Sequence, residues 1–304
     1  MPLNDAHCHF FSPRFFETLA RDAGGRFESD PAVAVPAALG WDAPGTTQQL
    51  ANRWMAEIDR HQVQRAVLMA SVPGDEQSVI EALATQPAAF VGFFMVNPLA
   101  EGAVDRTRRA LADGLRGVCL FPAMQRYSLL DARVAAIIEV AAEMPSAAVF
   151  VHCGVLSVGA RQKLGLPSRF EARFGWPLDV QALATTWPRV PFIIPHFGAG
   201  FFREALMAAD MCANIHLDTS SSNRWMKYIP GLTLETVFRH AVQVLGPERL
   251  LFGTDSSFFP RGWQRPVYDT QVEALDRLNL NARDVDLILG DNFDRLFPLG
   301  TGQA

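Results

Sequence analysis

Leu3-Asn4-Asp5-Ala6-His7-Cys8-His9-Phe10-Phe11 stands at the head of the sequence and holds the residues on which the reading turns. Side chains two apart on a β-strand share a face, so His7 and His9 project together. Two imidazoles converging from one rigid strand make half of a metal site. A frayed terminal segment would leave the same pair without a purpose, and these nine residues alone leave both readings open. They do bear on the fold. An open, doubly wound sheet carries a glycine-rich phosphate loop after its first strand, and here His-Cys-His-Phe-Phe takes that place.

Downstream, short apolar runs read as buried strands at Arg65–Ala70, Phe90–Val96, Gly117–Phe121, Ala148–His152, Phe192–His196, Asn214–Asp218 and Arg249–Asp255. Between them, apolar residues at three- and four-residue spacing predict helices. These run over about 47–61, 75–85 and 101–113, behind an N-cap at Asp131, and over about 177–187, 200–210, 233–245, 264–278 and 282–296. The stretch from Phe10 to Thr46 has no sustained period and reads as a long loop, of the kind that forms lids. Another long loop follows His152. Eight strands alternating with helices argue for right-handed βαβ units and a parallel sheet. In a chain of 304 residues they fit a single (β/α)8 TIM barrel over 1–304. No composition break marks a second domain.

Composition narrows the class. Hydrophobic residues make up 49% and charged residues 19%, enough for a large core. The net charge of −5, from 27 basic and 32 acidic residues without single-sign runs, argues against a nucleic-acid footprint. No apolar stretch is long enough to span a bilayer. Asp5 and the two histidines break the layout of a signal peptide, and Cys8, Cys119, Cys153 and Cys212 are scattered without a CxxC pair, so a reduced cytoplasmic setting is expected.

The strands are apolar except at their C-terminal ends, where His7, His9, His152, His196 and Asp255 stand. In a barrel those ends meet at one mouth, and unpartnered buried polar groups are costly, so their coincidence points to a site. His7, His9, His152 and Asp255 offer three nitrogens and a carboxylate, a donor set for one divalent ion, Zn²⁺ first among them, whose open position would hold a water. His196 remains for acid–base work or for polarising a substrate oxygen, and Asp255 can also take a proton from the water. Asp218 is an open candidate for a supporting partner. His216 reads as out of phase with Asp218 and turned away from the barrel axis, and His61 and His240 as surface or capping residues.

The Asp-x-His-x-His opening, Val-His-Cys-Gly at 151–154, Pro-His-Phe-Gly at 195–198 and Leu-Phe-Gly-Thr-Asp-Ser at 251–256 resemble the amidohydrolase superfamily. The likeness is to the amidohydrolase-related branch of aminocarboxymuconate-semialdehyde decarboxylase and lactone hydrolases. Asn214–Ser220 and Ile288-Leu289-Gly290-Asp291-Asn292 share it. The resemblance implies a distorted barrel with long βα loops after strands 1 and 5, His7, His9, His152 and Asp255 as ligands, His196 as the catalytic histidine, and a homodimer as one allowed assembly. Binuclear members bridge their metals from strand 4, where this chain has Val118-Cys119-Leu120-Phe121, so one metal is expected and Cys119 reads as a small buried hydrophobe. Hydrolysis of a lactone, ester or amide is the leading expectation, with non-oxidative decarboxylation the alternative. Loop arginines 14, 126, 161, 203, 224 and 261, with Trp225 and Trp263, suit a small anionic, ring-shaped substrate. Arg203 and Arg224 are the first choices among them.

Overall fold

The computed structural model describes residues 2–27 and 29–299. Its frame is a parallel sheet: β1 (Asn4–Asp5), β2 (His9–Phe10), β3 (Arg65–Ala70), β4 (Phe90–Val96), β5 (Gly117–Leu120), β6 (Ala148–Val151), β7 (Phe192–Ile194), β8 (Ile215–Asp218) and β9 (Leu250–Leu251). Each strand from β3 pairs with its successor, while β1 and β2 both pair with β3. Beyond Leu251 the chain leaves β8 and runs beside the first strand instead. Phe252 accepts from Ala6 N at 2.8 Å, His7 from Asp255 N at 2.9 Å and Ser256 from His9 N at 2.7 Å. That switch closes a (β/α)8 barrel and explains why the ladder of the last strand is shorter than its apolar run.

Alternation sorts the strands. Val67, Met69, Val91, Phe93, Met95, Cys119, Phe121, Phe150 and Ile193 fill the interior, which Phe293 and Phe297 plug from below. Their neighbours Leu68, Phe94, Leu120, Val149, Ile194 and Leu217 pack outward on the helices. A β-carbon on Gly117 would overlap the Phe93 ring, so that strand position admits only hydrogen.

β1 and β2 are two halves of one barrel strand. Asp5 pairs with Ala66 and His9 with Met69, so four steps on this strand oppose three on β3. The extra residue is a β-bulge, a device that re-aims side chains at barrel rims.

The elements fall near their expected places, with three differences. The stretch after β2 is not structureless: it holds Pro13–Asp22 and Pro31–Leu39. Phe15, Phe16, Leu19, Val35 and Leu39 from this pair form a small core with Ala160 and Leu164 of the long loop after β6. The segment at 282–296 is broken by a wide turn at Leu287–Asp291, where the Ile288 carbonyl accepts from Phe252 N at 3.0 Å. Finally, His216 sits opposite the interior residue Ile193. Residues two apart on a strand share a face, so it lies inside the barrel with Asp218, not turned away from the axis. Burial, with Arg249 and Arg295 nearby, drives its pKa down to about 3.

Candidate metal centre and active site

His7, His9, His152, His196 and Asp255 all line one cavity of about 640 Å³ at the C-terminal ends of the strands. Their backbones are held by specific means. Asp5, fully buried, accepts from His7 N at 2.9 Å, Thr254 N at 3.1 Å, Thr254 Oγ1 at 2.6 Å and Trp263 Nε1 at 2.7 Å, locking the first strand to the last. Trp263, an expected mouth aromatic, is thus a support behind the strand. Asp255 and His196 adopt φ of +60° and +56°, left-handed conformations that a non-glycine residue holds only under constraint.

Hydrogen-bond partners fix which nitrogen each ligand candidate presents. His7 Nδ1 lies 2.6 Å from Asp218 Oδ2. Asp218 also accepts from Ser220 N at 2.6 Å. A carboxylate can only accept, so His7 Nδ1 carries a proton and, in the neutral ring that ligation requires, Nε2 a lone pair. That Nε2 is buried without a hydrogen-bond partner. His9 Nδ1 lies 2.7 Å from Ser71 Oγ, whose own proton goes to the Met69 carbonyl at 3.0 Å, so His9 too presents a bare Nε2. Asp255 Oδ1 faces both, 3.2 Å from His9 Nε2 and 3.8 Å from His7 Nε2. Three lone-pair donors converging on one point repel unless a cation lies between them. The cluster therefore fits a metal ion, and within it all donor atoms are within 4.8 Å of one another. A second group within that limit, His7, His196 and Asp218, is the hydrogen-bonded support beside it.

His152 belongs to neither group. It lines the same cavity, its ring 5.3 Å from that of His196 and 5.5 Å from Phe121, with Nδ1 buried and unpartnered. The His196 ring stacks on His7 at 5.0 Å, and its Nδ1 meets Ser220 Oγ at 2.8 Å.

Charges follow this arrangement. Burial alone would favour a neutral His7, but the Asp218 carboxylate outweighs it and raises the pKa. Burial lowers that of His9, and lowers His152 and His196 too, with neighbouring imidazoles adding to both. Burial pushes Asp255 up, yet the surrounding His9, His7 and His196 hold it well below the usual carboxylate range. At neutral pH the carboxylates are ionised and the three low-pKa rings neutral, as ligation requires.

The rim differs from expectation. Arg224 lines the cavity. Arg203 does not; at the first turn of the helix Phe202–Met211 it turns into solvent, 84% exposed, and pairs with Glu204 at 2.5 Å. Arg126 pairs with Glu171 and Arg161 with Asp22, and neither lines the cavity. Lys227 and Arg261 do line it. Arg261 donates to Ser257 Oγ at 2.7 Å and lies over Phe258 at 4.3 Å. Sequence reasoning also missed an aromatic wall in which Trp41 stacks on Phe258 at 3.9 Å and Phe11 on Phe15 at 3.8 Å. It missed the hydroxyls of Ser71 and Ser220, whose only signal was a polar residue just past an apolar strand. Gly253 was missed as well: a β-carbon there would stand 3.0 Å from His7 Cβ and Ser220 Cβ and 3.1 Å from Asp218 Oδ1.

No curated protein matches the chain. Several solved structures share its fold. One is a probable 2-pyrone-4,6-dicarboxylic acid hydrolase from Acinetobacter baumannii with citric acid bound, at 16% identity and TM-score 0.60, covering 98% of this chain and 100% of that one. An amidohydrolase from Burkholderia multivorans with bound zinc matches at 18% identity and TM-score 0.60, covering 99% and 100%. A 5-carboxyvanillate decarboxylase from Novosphingobium aromaticivorans, with manganese and 3-methoxy-4-hydroxy-5-nitrobenzoic acid bound, matches at 15% identity and TM-score 0.64, covering 98% and 97%. No described helix is long and apolar enough to cross a membrane. The family model described as Amidohydrolase matches residues 4–299, nearly the whole chain, which therefore belongs to the amidohydrolase family.

Proposed function

We propose that the chain is a hydrolase holding one divalent ion, Zn²⁺ first among the candidates, through His7, His9, Asp255 and His152. Its substrate is a small anionic lactone, ester or amide. The observation that carries this reading is the meeting of two bare imidazole nitrogens and one carboxylate oxygen at the barrel mouth. When bound, such an ion supplies Lewis acidity and a water nucleophile usable near neutral pH. Asp255, ionised and facing His9, is placed to accept a proton from the attacking water. His196 is placed to act on the substrate oxygen or leaving group. Arg224, Lys227 and Arg261 give the rim a positive field for an anion, and Trp41 and Phe258 a flat surface for a ring. A single ion follows from β5, where Val118-Cys119-Leu120-Phe121 offers no carboxylate or lysine bridge.

That flat wall also favours a second reading, non-oxidative decarboxylation of an aromatic or unsaturated acid. The likeness to a decarboxylase holding a substituted nitrobenzoate supports it. Incubating the metal-loaded protein with 2-pyrone-type lactones and with 2-hydroxybenzoates separates the two. Acid release without CO₂ is expected; CO₂ release selects the second reading, and turnover of neither class contradicts both.

A further inference from the structure

Two serine hydroxyls touch the Nδ1 atoms of catalytic-centre histidines, and their surroundings oblige them to act in opposite senses. Ser71 Oγ has a carbonyl to satisfy, Met69 O at 3.0 Å, so its proton goes there and it accepts from His9. Ser220 Oγ has no such carbonyl. Its nearest partners are His196 Nδ1 at 2.8 Å and His7 Nδ1 at 3.0 Å; the Asp218 carboxylate beside it already accepts from His7 Nδ1 and the Ser220 amide, each at 2.6 Å. His7 Nδ1 is itself a donor, committed to Asp218 at 2.6 Å. A hydroxyl has one proton to give, and the acceptor left for it is His196 Nδ1.

The opposite assignment has His196 Nδ1–H donating to the Ser220 carbonyl at 3.3 Å. It uses the longer contact and leaves a buried hydroxyl proton with no acceptor but a carboxylate already engaged by two donors, which is unfavourable. We infer that Ser220 is a positioning residue that holds His196 as its Nε2–H tautomer. The nitrogen this presents to the cavity is a donor, not a base. This rests on the reading of His196 given above and divides the proton work: Asp255 accepts from water, and His196 donates to the oxygen of the bond being broken. The chain Asp218, His7, Ser220, His196 thereby links the bare ligand nitrogen of one ring to the protonated nitrogen of the other.

The test is histidine ¹⁵N NMR of the full chain, with long-range proton–nitrogen correlations that identify each tautomer. The His196 signal is assigned by its loss in His196→Gln. The wild type is expected to show His196 as Nε2–H. Ser220→Thr should keep that pattern, and Ser220→Ala should shift His196 toward Nδ1–H, donating to the Ser220 carbonyl. Once a substrate is in hand, Ser220→Ala should lower kcat about ten-fold, in the range seen for outer partners of such sites, with KM little changed and Ser220→Thr restoring most of the rate. A wild-type His196 found as Nδ1–H, or a tautomer indifferent to Ser220→Ala, overturns the inference. The NMR readout needs no substrate and no metal, so it can fail or succeed independently of the proposed hydrolysis.

Discussion

At the scale of single residues, the site depends on orientation more than on identity. His7 turns its Nε2 to the mouth because its Nδ1–H donates to Asp218. Asp218→Asn should therefore weaken metal affinity about 10–100-fold, read by competition with a chromophoric chelator, while leaving the fold intact by circular dichroism. Gly253→Ala attacks the same pair sterically, since its β-carbon would press on His7, Ser220 and Asp218. It should cost about 1–3 kcal/mol in denaturant unfolding and also weaken the metal. The histidines and Asp255 were legible in the sequence because each is a lone polar residue ending an apolar run. Ser71 and Ser220 were not, because hydroxyls are common at strand ends and only coordinates reveal which face an imidazole. Arg203 misled for a related reason: sequence does not say which way a loop arginine turns, and this one turns to Glu204.

At the scale of elements, the strands from Arg65–Ala70 to Ile215–Asp218 were readable to within a residue or two, the last was expected four residues too long at its end, and the long helices were readable from their apolar period. The two helices after β2 were not. Pro31–Leu39 reads Pro-Ala-Val-Ala-Val-Pro-Ala-Ala-Leu, apolar on all sides and so without a period to detect. The segment after β2 is tied to the next βα loop through Asp75, which accepts from Ser12 at 2.6 Å and Ser78 at 2.5 Å. Burial raises the pKa of Asp75 from 3.8 to about 6. A carboxyl whose pKa is higher folded than unfolded adds stability below its unfolded value and loses it as pH rises through the folded one. The wild type should thus gain about 2 kcal/mol on Asp75→Asn between pH 7 and pH 4, seen as a Tm difference that shifts in its favour on acidification. A difference that does not change with pH would refute the shifted carboxyl. In the barrel wall, Gly117→Ala should destabilise by about 1–3 kcal/mol through overlap with Phe93.

Across the whole molecule, closure makes the site. The first strand bulges between Asp5 and His9, and the last strand abandons β8 to bond with it, which brings Asp255 against His7 and His9 from the far end of the chain. The strand count implied a barrel, but neither the bulge nor the switch was visible, because the bulge depends on register with a strand some 60 residues on and the switch on register with one some 250 away. Only closure brings these three donors together, so the site and the fold stand or fall as one. Anomalous diffraction from crystals grown with zinc examines that convergence. One strong peak is expected, bonded to His7 Nε2, His9 Nε2 and Asp255, with His152 as the proposed fourth ligand, and absent in His9→Ala. A mouth without an ion at saturating zinc, or a peak bound by other residues, would contradict it.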